Sequence, residues 1–166
     1  QIEKFWESED HFRKYGFLWK RGVLLWGPPG SGKTSTLQIL TSKIINRDGI
    51  VVSVYEPQLA AIGLHALRRI EPKRMLIAVL EDIDAIAERH ESELLALLDG
   101  EYQIDNIVFI ATTNYPERLD PRIANRPSRF DVIQKIDMPN LESRRLYLSA
   151  KSRELGVETY FIQSAD

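Results

Sequence analysis

The segment GPPGSGKT, residues 27–34, carries the strongest chemical signal in the sequence. Its glycines let the backbone curl so that successive N–H groups face one anion. Lys33 can then reach the β- and γ-phosphates of a nucleotide, and the hydroxyl of Thr34 can ligate Mg²⁺. The alternative is a glycine-rich turn that contains Lys-Thr by chance, which is a rare match in a chain of this length. The predicted nucleotide-binding residues are Gly27, Pro28, Pro29, Gly30, Ser31, Gly32, Lys33, Thr34 and Ser35.

Three carboxylates follow an apolar run in the segment MLIAVLEDIDAI, residues 75–86. The run is typical of a strand buried on both faces, and Glu81, Asp82 and Asp84 come at its end. Carboxylates gathered in one place are suited to a magnesium ion and a water molecule. Asp82 and Asp84 also precede a helical pattern, so both could instead cap that helix. For Asp84 the two interpretations stay open.

Apolar strands alternate with helical segments along most of the chain. A parallel crossover needs an intervening helix, so the alternation predicts an α/β fold with a five-stranded parallel sheet flanked by helices. Such a sheet binds ligands beyond the carboxyl ends of its strands, where the loop of Thr34 and the three carboxylates both emerge. The predicted strands are 22–26, 50–55, 75–80, 107–113 and 131–137, and the predicted helices are 6–16, 33–45, 59–70, 91–98 and a charged helix after Pro139.

Composition excludes several other classes of protein. The 22 basic and 24 acidic residues are interspersed and give a formal net charge of −2, so we expect no nucleic-acid-binding patch. The chain has no cysteine, which excludes disulfides and thiolate metal sites, and no histidine has a metal-ligand spacing. No apolar run approaches the roughly 20 residues of a membrane span. We expect a soluble protein of the cytoplasm or an internal compartment, with room for a segment before Gln1.

Five motifs occur in an order that resembles the ATPase module of the AAA+ superfamily, and most closely the AAA group proper. The motifs are GVLLWGPPGSGKT, VLEDIDAI, IVFIATTN, LDPRI and RPSRFD. The resemblance implies a P-loop NTPase fold that binds ATP or ADP with Mg²⁺. It also implies an ATP-driven homo-oligomer, usually a hexameric ring, that remodels a macromolecular client, here expected to be protein.

The same resemblance assigns roles to single residues. Glu81 would hold the magnesium ion through its water shell, together with Thr34, and Asp82 would polarise the attacking water. Asn114 matches the sensor position that orients this water, whereas a plain turn residue before Tyr115 is the alternative. Two arginines of the RPSR motif, Arg126 and Arg129, match those presented to the nucleotide of the neighbouring subunit. The alternative for one of these, Arg129 in particular, is a pair with a local acid that only holds the loop.

Three departures from the family pattern affect these expectations. Most members carry Asp then Glu after the buried strand, and this chain has Glu81 then Asp82, an order shared with the branch that includes the mitochondrial complex III assembly ATPase. The shorter side chain at the second position requires a compensating backbone or a slow turnover. The segment AAIG, residues 60–63, lacks the aromatic residue that peptide-threading members carry, and the other central loop, before Leu94, is nearly deleted. Gripping of an extended peptide by aromatic side chains is therefore not expected.

The third departure is in the domain organisation. We expect residues 1–137 to form the large α/β nucleotide-binding subdomain and residues 138–166 to form the beginning of an incomplete helical lid. An ATPase motor that acts on protein is the leading functional hypothesis. The alternatives are a nucleotide-dependent assembly scaffold with slow or no hydrolysis and a P-loop kinase for a small molecule.

Overall fold

A five-stranded parallel sheet forms the centre of the computed structural model, which describes residues 2–124, 126 and 128–156. The strands lie in the order β2-β3-β4-β1-β5, and every neighbouring pair is parallel. The predicted fold class is confirmed. The strands are β1 (Lys20–Trp26), β2 (Ile50–Ser53), β3 (Leu76–Leu80), β4 (Ile107–Thr113) and β5 (Val132–Lys135).

Helices cover both faces of the sheet and bury two apolar layers. Side chains alternate along β1, so Leu24 packs into one layer while Val23 and Leu25 pack into the other. All residues of β3 and β4 are buried, as their continuous apolar runs predict. The helices are α1 (Ile2–Trp6), α2 (Glu9–Lys14), α3 (Lys33–Ile45), α4 (Pro57–Ile70), α5 (Ile83–Asp99), α6 (Pro121–Ala124) and α7 (Leu141–Leu155), with a 3₁₀ turn at Pro116–Arg118.

Two helical predictions differ from the structure. The predicted helix 6–16 corresponds only to α2 (Glu9–Lys14), and its first residue, Trp6, instead ends a separate helix, α1, because the chain turns between Trp6 and Glu9. The predicted helix 91–98 is the second half of α5, which begins at Ile83. Its first half is missed because only Ile83 and Ile86 of that half are buried and charged residues follow them.

The two central segments of the family pattern take helical forms here. Residues 60–63 lie within α4, so this segment is not a loop after β2. The segment before Leu94 is part of α5, whose only irregular residue is His90 with φ −138° and ψ 40°. Neither segment therefore offers a free loop.

The helix α7 follows the sheet and contains no buried residue among those described. Asn140 begins it by accepting a hydrogen bond from the Ser143 N–H at 2.8 Å. A division near residue 138 into two subdomains stays a prediction. Within the described ranges, no helix has the length and apolar character needed to cross a membrane.

Candidate functional site

The loop between β1 and α3 is built to hold an anion. Gly32 has φ 96°, a left-handed conformation that favours glycine, and no side chain among the described residues caps the first N–H groups of α3. Lys33 is 7% exposed, and its Nζ donates to the carbonyl oxygens of Gly27 at 2.8 Å and Pro28 at 3.0 Å. The Ser31 Oγ is buried and has no hydrogen-bond partner in the described part of the chain. Uncapped N–H groups, an ammonium and an unpartnered hydroxyl suit a phosphate group.

The carboxylates after β3 reach the same place. The Thr34 Oγ1 donates to the Glu81 Oε2 across 3.5 Å, although the two residues are 47 positions apart. Glu81 and Asp82 are both exposed, so they are open to solvent and ligand. A hydroxyl and a carboxylate at this separation are chemically suited to Mg²⁺, which prefers oxygen ligands and keeps several waters. The loop and the carboxylates therefore form one site with a donor set that fits magnesium and a nucleotide.

Asn114 lies between these two parts of the site because β4 lies between β1 and β3. Trp26 pairs with Thr113, and the Gly27 N–H approaches the Thr113 carbonyl at 3.4 Å. Asn114 is the next residue and is half-buried. Asn114 therefore lies at the same carboxyl end of the sheet as Lys33 and Glu81.

The backbone at Asp82 has an uncommon conformation. Asp82 has φ 48° and ψ 55°, which is left-handed, and it occupies the position before α5 without capping that helix through its side chain. The capping alternative is thus not realised for Asp82. Asp84 accepts a hydrogen bond from the Thr113 Oγ1 at 2.7 Å, so its carboxylate contacts β4.

Two threonines at the end of β4 were not predicted from the sequence. Thr112 is 3% exposed and accepts a hydrogen bond from the Asp82 N–H at 3.2 Å. Thr113 is fully buried and bonds both Asp84 and the Tyr115 N–H. Hydroxyl residues that end a buried apolar strand are the signal that could have identified them, because a buried hydroxyl needs a partner.

The two arginines of the RPSR motif have different environments. Arg129 is 4% exposed, and its Nε and Nη2 donate to the two carboxylate oxygens of Asp99 at 2.7 and 2.6 Å. A third hydrogen bond joins its Nη1 to the Arg122 carbonyl. Arg126 is exposed and lies 3.3 Å from the same carboxylate. Arg129 thus pairs with an acid, as the alternative expected, but that acid is Asp99, 30 residues away in the sequence, and not a local one.

Ion pairs and hydrogen bonds hold the arginine loop, which we define as Arg126, Ser128 and Arg129, against β1 and the end of α5. The hydrogen bond from Arg129 lowers the pKa of Asp99 below its ordinary value. Lys20 donates to the carbonyl oxygens of Leu98 and Ser128, both at 2.5 Å, and burial lowers the pKa of its ammonium. Two cationic side chains, Lys20 and Arg129, therefore join the arginine loop to β1 and to the end of α5.

The sheet order, the glycine-rich loop before α3 and the carboxylates after β3 define an α/β nucleotide-binding domain of the phosphate-loop class. Residues 23–138 match the ATPase family associated with various cellular activities (AAA). The chain belongs to this family, and the resemblance stated from its motifs is confirmed.

Comparison with curated proteins gives the same family. The chain is 35% identical over 145 residues to a "Probable mitochondrial chaperone bcs1" of Schizosaccharomyces pombe, covering 79% of this chain and 31% of that protein. It is 31% identical over 170 residues to a "Proteasome-activating nucleotidase" of Sulfurisphaera tokodaii, covering 89% of this chain and 43% of that protein. It is 31% identical over 163 residues to a "Cell division cycle protein 48 homolog" of Archaeoglobus fulgidus, covering 87% of this chain and 22% of that protein. The chain thus spans less than half the length of these relatives.

Proposed function

We propose that this chain is the ATP-hydrolysing module of a ring-forming motor that remodels a protein client. The observation that carries the proposal is the approach of Thr34 to Glu81 at 3.5 Å. It joins a phosphate-binding loop to a pair of carboxylates at the carboxyl edge of a parallel sheet, where such sheets bind ligands. Membership of the AAA family supports the same activity.

Each residue of the site has a chemical task in this proposal. Lys33 and the N–H groups of the non-proline residues of 27–34 bind the phosphates, and Thr34 and Glu81 would hold Mg²⁺, Glu81 through a water. When bound, Mg²⁺ neutralises negative charge on the phosphates. Asp82 accepts the proton of the attacking water, and Asn114 orients that water through its side-chain amide.

The reversed order of Glu81 and Asp82 is compatible with this assignment. Asp82 has a side chain shorter by one methylene than the glutamate of most members. Its left-handed backbone gives the carboxylate a direction that a regular helical or extended residue would not give. We propose that this conformation is the backbone compensation that the shorter side chain requires.

The arginines divide their work in the proposed ring. Arg126 is exposed, so it is available to the nucleotide of a neighbouring subunit in a homohexamer. Arg129 is buried against Asp99, and we propose that it fixes the loop that presents Arg126. The site is then complete only between two subunits.

A protein client is the proposal for what the motor acts on. The names of two relatives, a chaperone and a proteasome-activating nucleotidase, support this class of client. Residues 60–63 are helical and contain no aromatic side chain, so client contact through aromatic residues at that position is not part of the proposal.

Steady-state phosphate release separates this proposal from its alternatives. An ATPase releases phosphate without an acceptor, a small-molecule kinase needs one, and a scaffold binds ATP but releases phosphate slowly or not at all. Lys33→Ala should abolish both ATP binding and release, because it removes the cation of the loop. Lys43→Ala, an exposed lysine near the end of the same helix, is the matched control and should change neither. Tight Mg²⁺-dependent ATP binding by Lys33→Ala would contradict the site.

Mixing two inactive variants tests whether the arginine acts across a boundary. Lys33→Ala subunits keep Arg126 but do not bind ATP, whereas Arg126→Ala subunits bind ATP but lack the arginine. Supplying such an arginine is worth about 10³ to 10⁵ in rate, so each variant alone should be nearly inactive. Recovered phosphate release in the mixture supports action on a neighbour. No recovery despite measured co-assembly contradicts it.

A further inference from the structure

Two adjacent threonine hydroxyls at the end of β4 bond both the carboxylate segment after β3 and the turn after β4. Thr112 and Thr113 are 3% and 0% exposed, so their hydroxyl groups depend on protein partners. Neither residue binds nucleotide or magnesium in the proposed function. Their partners are the backbone N–H of Asp82, which is the proposed water-polarising residue, the carboxylate of Asp84 and the backbone N–H of Tyr115.

Thr113 connects the first turn of α5 to the loop that carries Asn114. One hydroxyl offers one donor and two acceptor positions. The Thr113 Oγ1 donates to the Asp84 Oδ1 at 2.7 Å and accepts from the Tyr115 N–H at 3.0 Å. Asn114 stands between Thr113 and Tyr115, so the hydrogen bond from the Tyr115 N–H closes a small turn around it, and the bond to Asp84 joins that turn to α5. The position of Asn114 is thereby tied to α5.

Thr112 holds the other side of the carboxylate turn. Its Oγ1 accepts from the Asp82 N–H at 3.2 Å, and Asp82 has the left-handed backbone described above. A non-glycine residue keeps such a conformation only where its surroundings hold it. The neighbouring threonines therefore fix Asp82 from its amide and Asp84 from its carboxylate.

We infer that Thr113, assisted by Thr112, is a positioning residue that sets the distance between the Asn114 amide and the Asp82 carboxylate. This inference rests on the proposed function, in which these two groups share one water molecule. An attacking water held by two groups is productive only when their separation is correct, and a misplacement of about 1 Å can cost about 100-fold in rate. The Thr113 link is thus required for turnover and not for nucleotide binding.

The test compares four variants. Thr113→Val removes the hydroxyl at nearly constant shape, Thr113→Ser keeps it, and Asp84→Ala breaks the same link from the helix without opening the sheet. Thr41→Val, which removes a hydroxyl that donates to the Gln38 carbonyl within α3, away from the site, is the matched control. The measurements are kcat for phosphate release, the Kd for a fluorescent ATP analogue and hydrogen exchange of single amides by NMR.

We expect Thr113→Val and Asp84→Ala to lower kcat by about 10- to 100-fold while Kd stays close to wild type. Thr113→Ser should restore kcat, and Thr41→Val should leave it unchanged. The Tyr115 amide should exchange faster in Thr113→Val, because its acceptor is lost. Three results would each overturn the inference. They are a folded Thr113→Val with wild-type kcat, a rise in Kd that accompanies the fall in kcat, and a failure of Thr113→Ser to restore kcat.

The proposed function can fail separately. A wild-type protein that binds ATP and releases no phosphate refutes the proposed hydrolysis, and the link is then judged by exchange alone. Faster exchange in Thr113→Val at both the Tyr115 amide and the first turn of α5 supports the link between the two elements. Faster exchange at Tyr115 alone, or at neither place, overturns it.

Discussion

Asp99→Asn tests how the arginine loop is held. Arg129 is 4% exposed and donates to both carboxylate oxygens of Asp99, whose own side chain is 23% exposed. An asparagine keeps one acceptor and places an amide N–H against the second guanidinium N–H. Breaking a fully buried pair costs about 3 to 5 kcal/mol, and a hydrogen bond to a charged group contributes about 1.5 to 3 kcal/mol.

Two features of Asp99 reduce the expected cost. Its partial exposure lets water solvate the remaining arginine, and its place at the carboxyl end of α5 is unfavourable for an anion by about 0.3 to 1 kcal/mol. The expected loss of unfolding free energy is therefore about 2 kcal/mol, taken from the lower part of those ranges. In urea this corresponds to a midpoint lower by about 1 M.

The assay is urea unfolding of the wild type, Asp99→Asn and Asp48→Asn. Asp48 is the matched control because its side chain pairs with Arg74 at 2.9 Å but is 90% exposed. Asp48→Asn should lower the free energy of unfolding by no more than about 1 kcal/mol. Equal small effects of the two substitutions would refute the assignment of Asp99 as the anchor of the loop.

The pH dependence gives a second test of the same contact. The pKa of Asp99 is lowered in the folded state by the hydrogen bond from Arg129. Its contribution is therefore complete above the ordinary value of 3.8 and is lost as the pH falls through the lower folded value. The difference between wild type and Asp99→Asn should be full at neutral pH and should shrink in strong acid. A difference that does not change with pH would contradict the ion pair.

Two further predictions concern backbone space and the metal. A Cβ on Gly22 would lie 1.6 Å from the Arg129 carbonyl oxygen, so Gly22→Ala should destabilise the fold by about 1 to 3 kcal/mol in urea unfolding. Gly63→Ala, in helix α4, should instead stabilise it by about 0.5 to 1 kcal/mol, because the new Cβ would meet no described atom within 4 Å apart from its chain neighbours and the backbone of its own helix. The same sign for both substitutions would refute the close approach at Gly22. Glu81→Gln should raise the Mg²⁺ concentration needed for half-maximal phosphate release, and an unchanged magnesium titration would exclude Glu81 as the carboxylate that holds the ion.

Much of the fold can be predicted because burial and periodicity agree in the central elements. The strand over residues 107–113 and the helix over residues 33–45 have the predicted bounds. Gly100, with φ 84°, ends α5, and a glycine in this left-handed conformation is a common signal for the end of a helix. The first half of α5 is less visible, since Glu88, Arg89 and His90 interrupt its apolar face.

The candidate site likewise has one part that the sequence predicts and another part that it does not. The phosphate-binding loop and the carboxylates follow from local patterns, and the sheet order then brings Thr34 to Glu81. The environment of Arg129 depends on Asp99, which is 30 residues away and becomes a partner only through tertiary packing. No local pattern predicts such a contact. The hydroxyl residues that end β4 are visible in the sequence, but their partners Asp82 and Asp84 are 30 and 29 residues away and are not.

The most direct test of ATP hydrolysis at this site is phosphate release by Asp82→Asn with ATP binding measured in parallel. An amide cannot accept the proton of the attacking water, so release should fall by about 10² to 10⁴-fold while ATP stays bound. That result would assign the water to Asp82 and not to Glu81. Normal turnover by Asp82→Asn, together with a loss of turnover in Glu81→Gln, would contradict this account and make Glu81 the catalytic carboxylate.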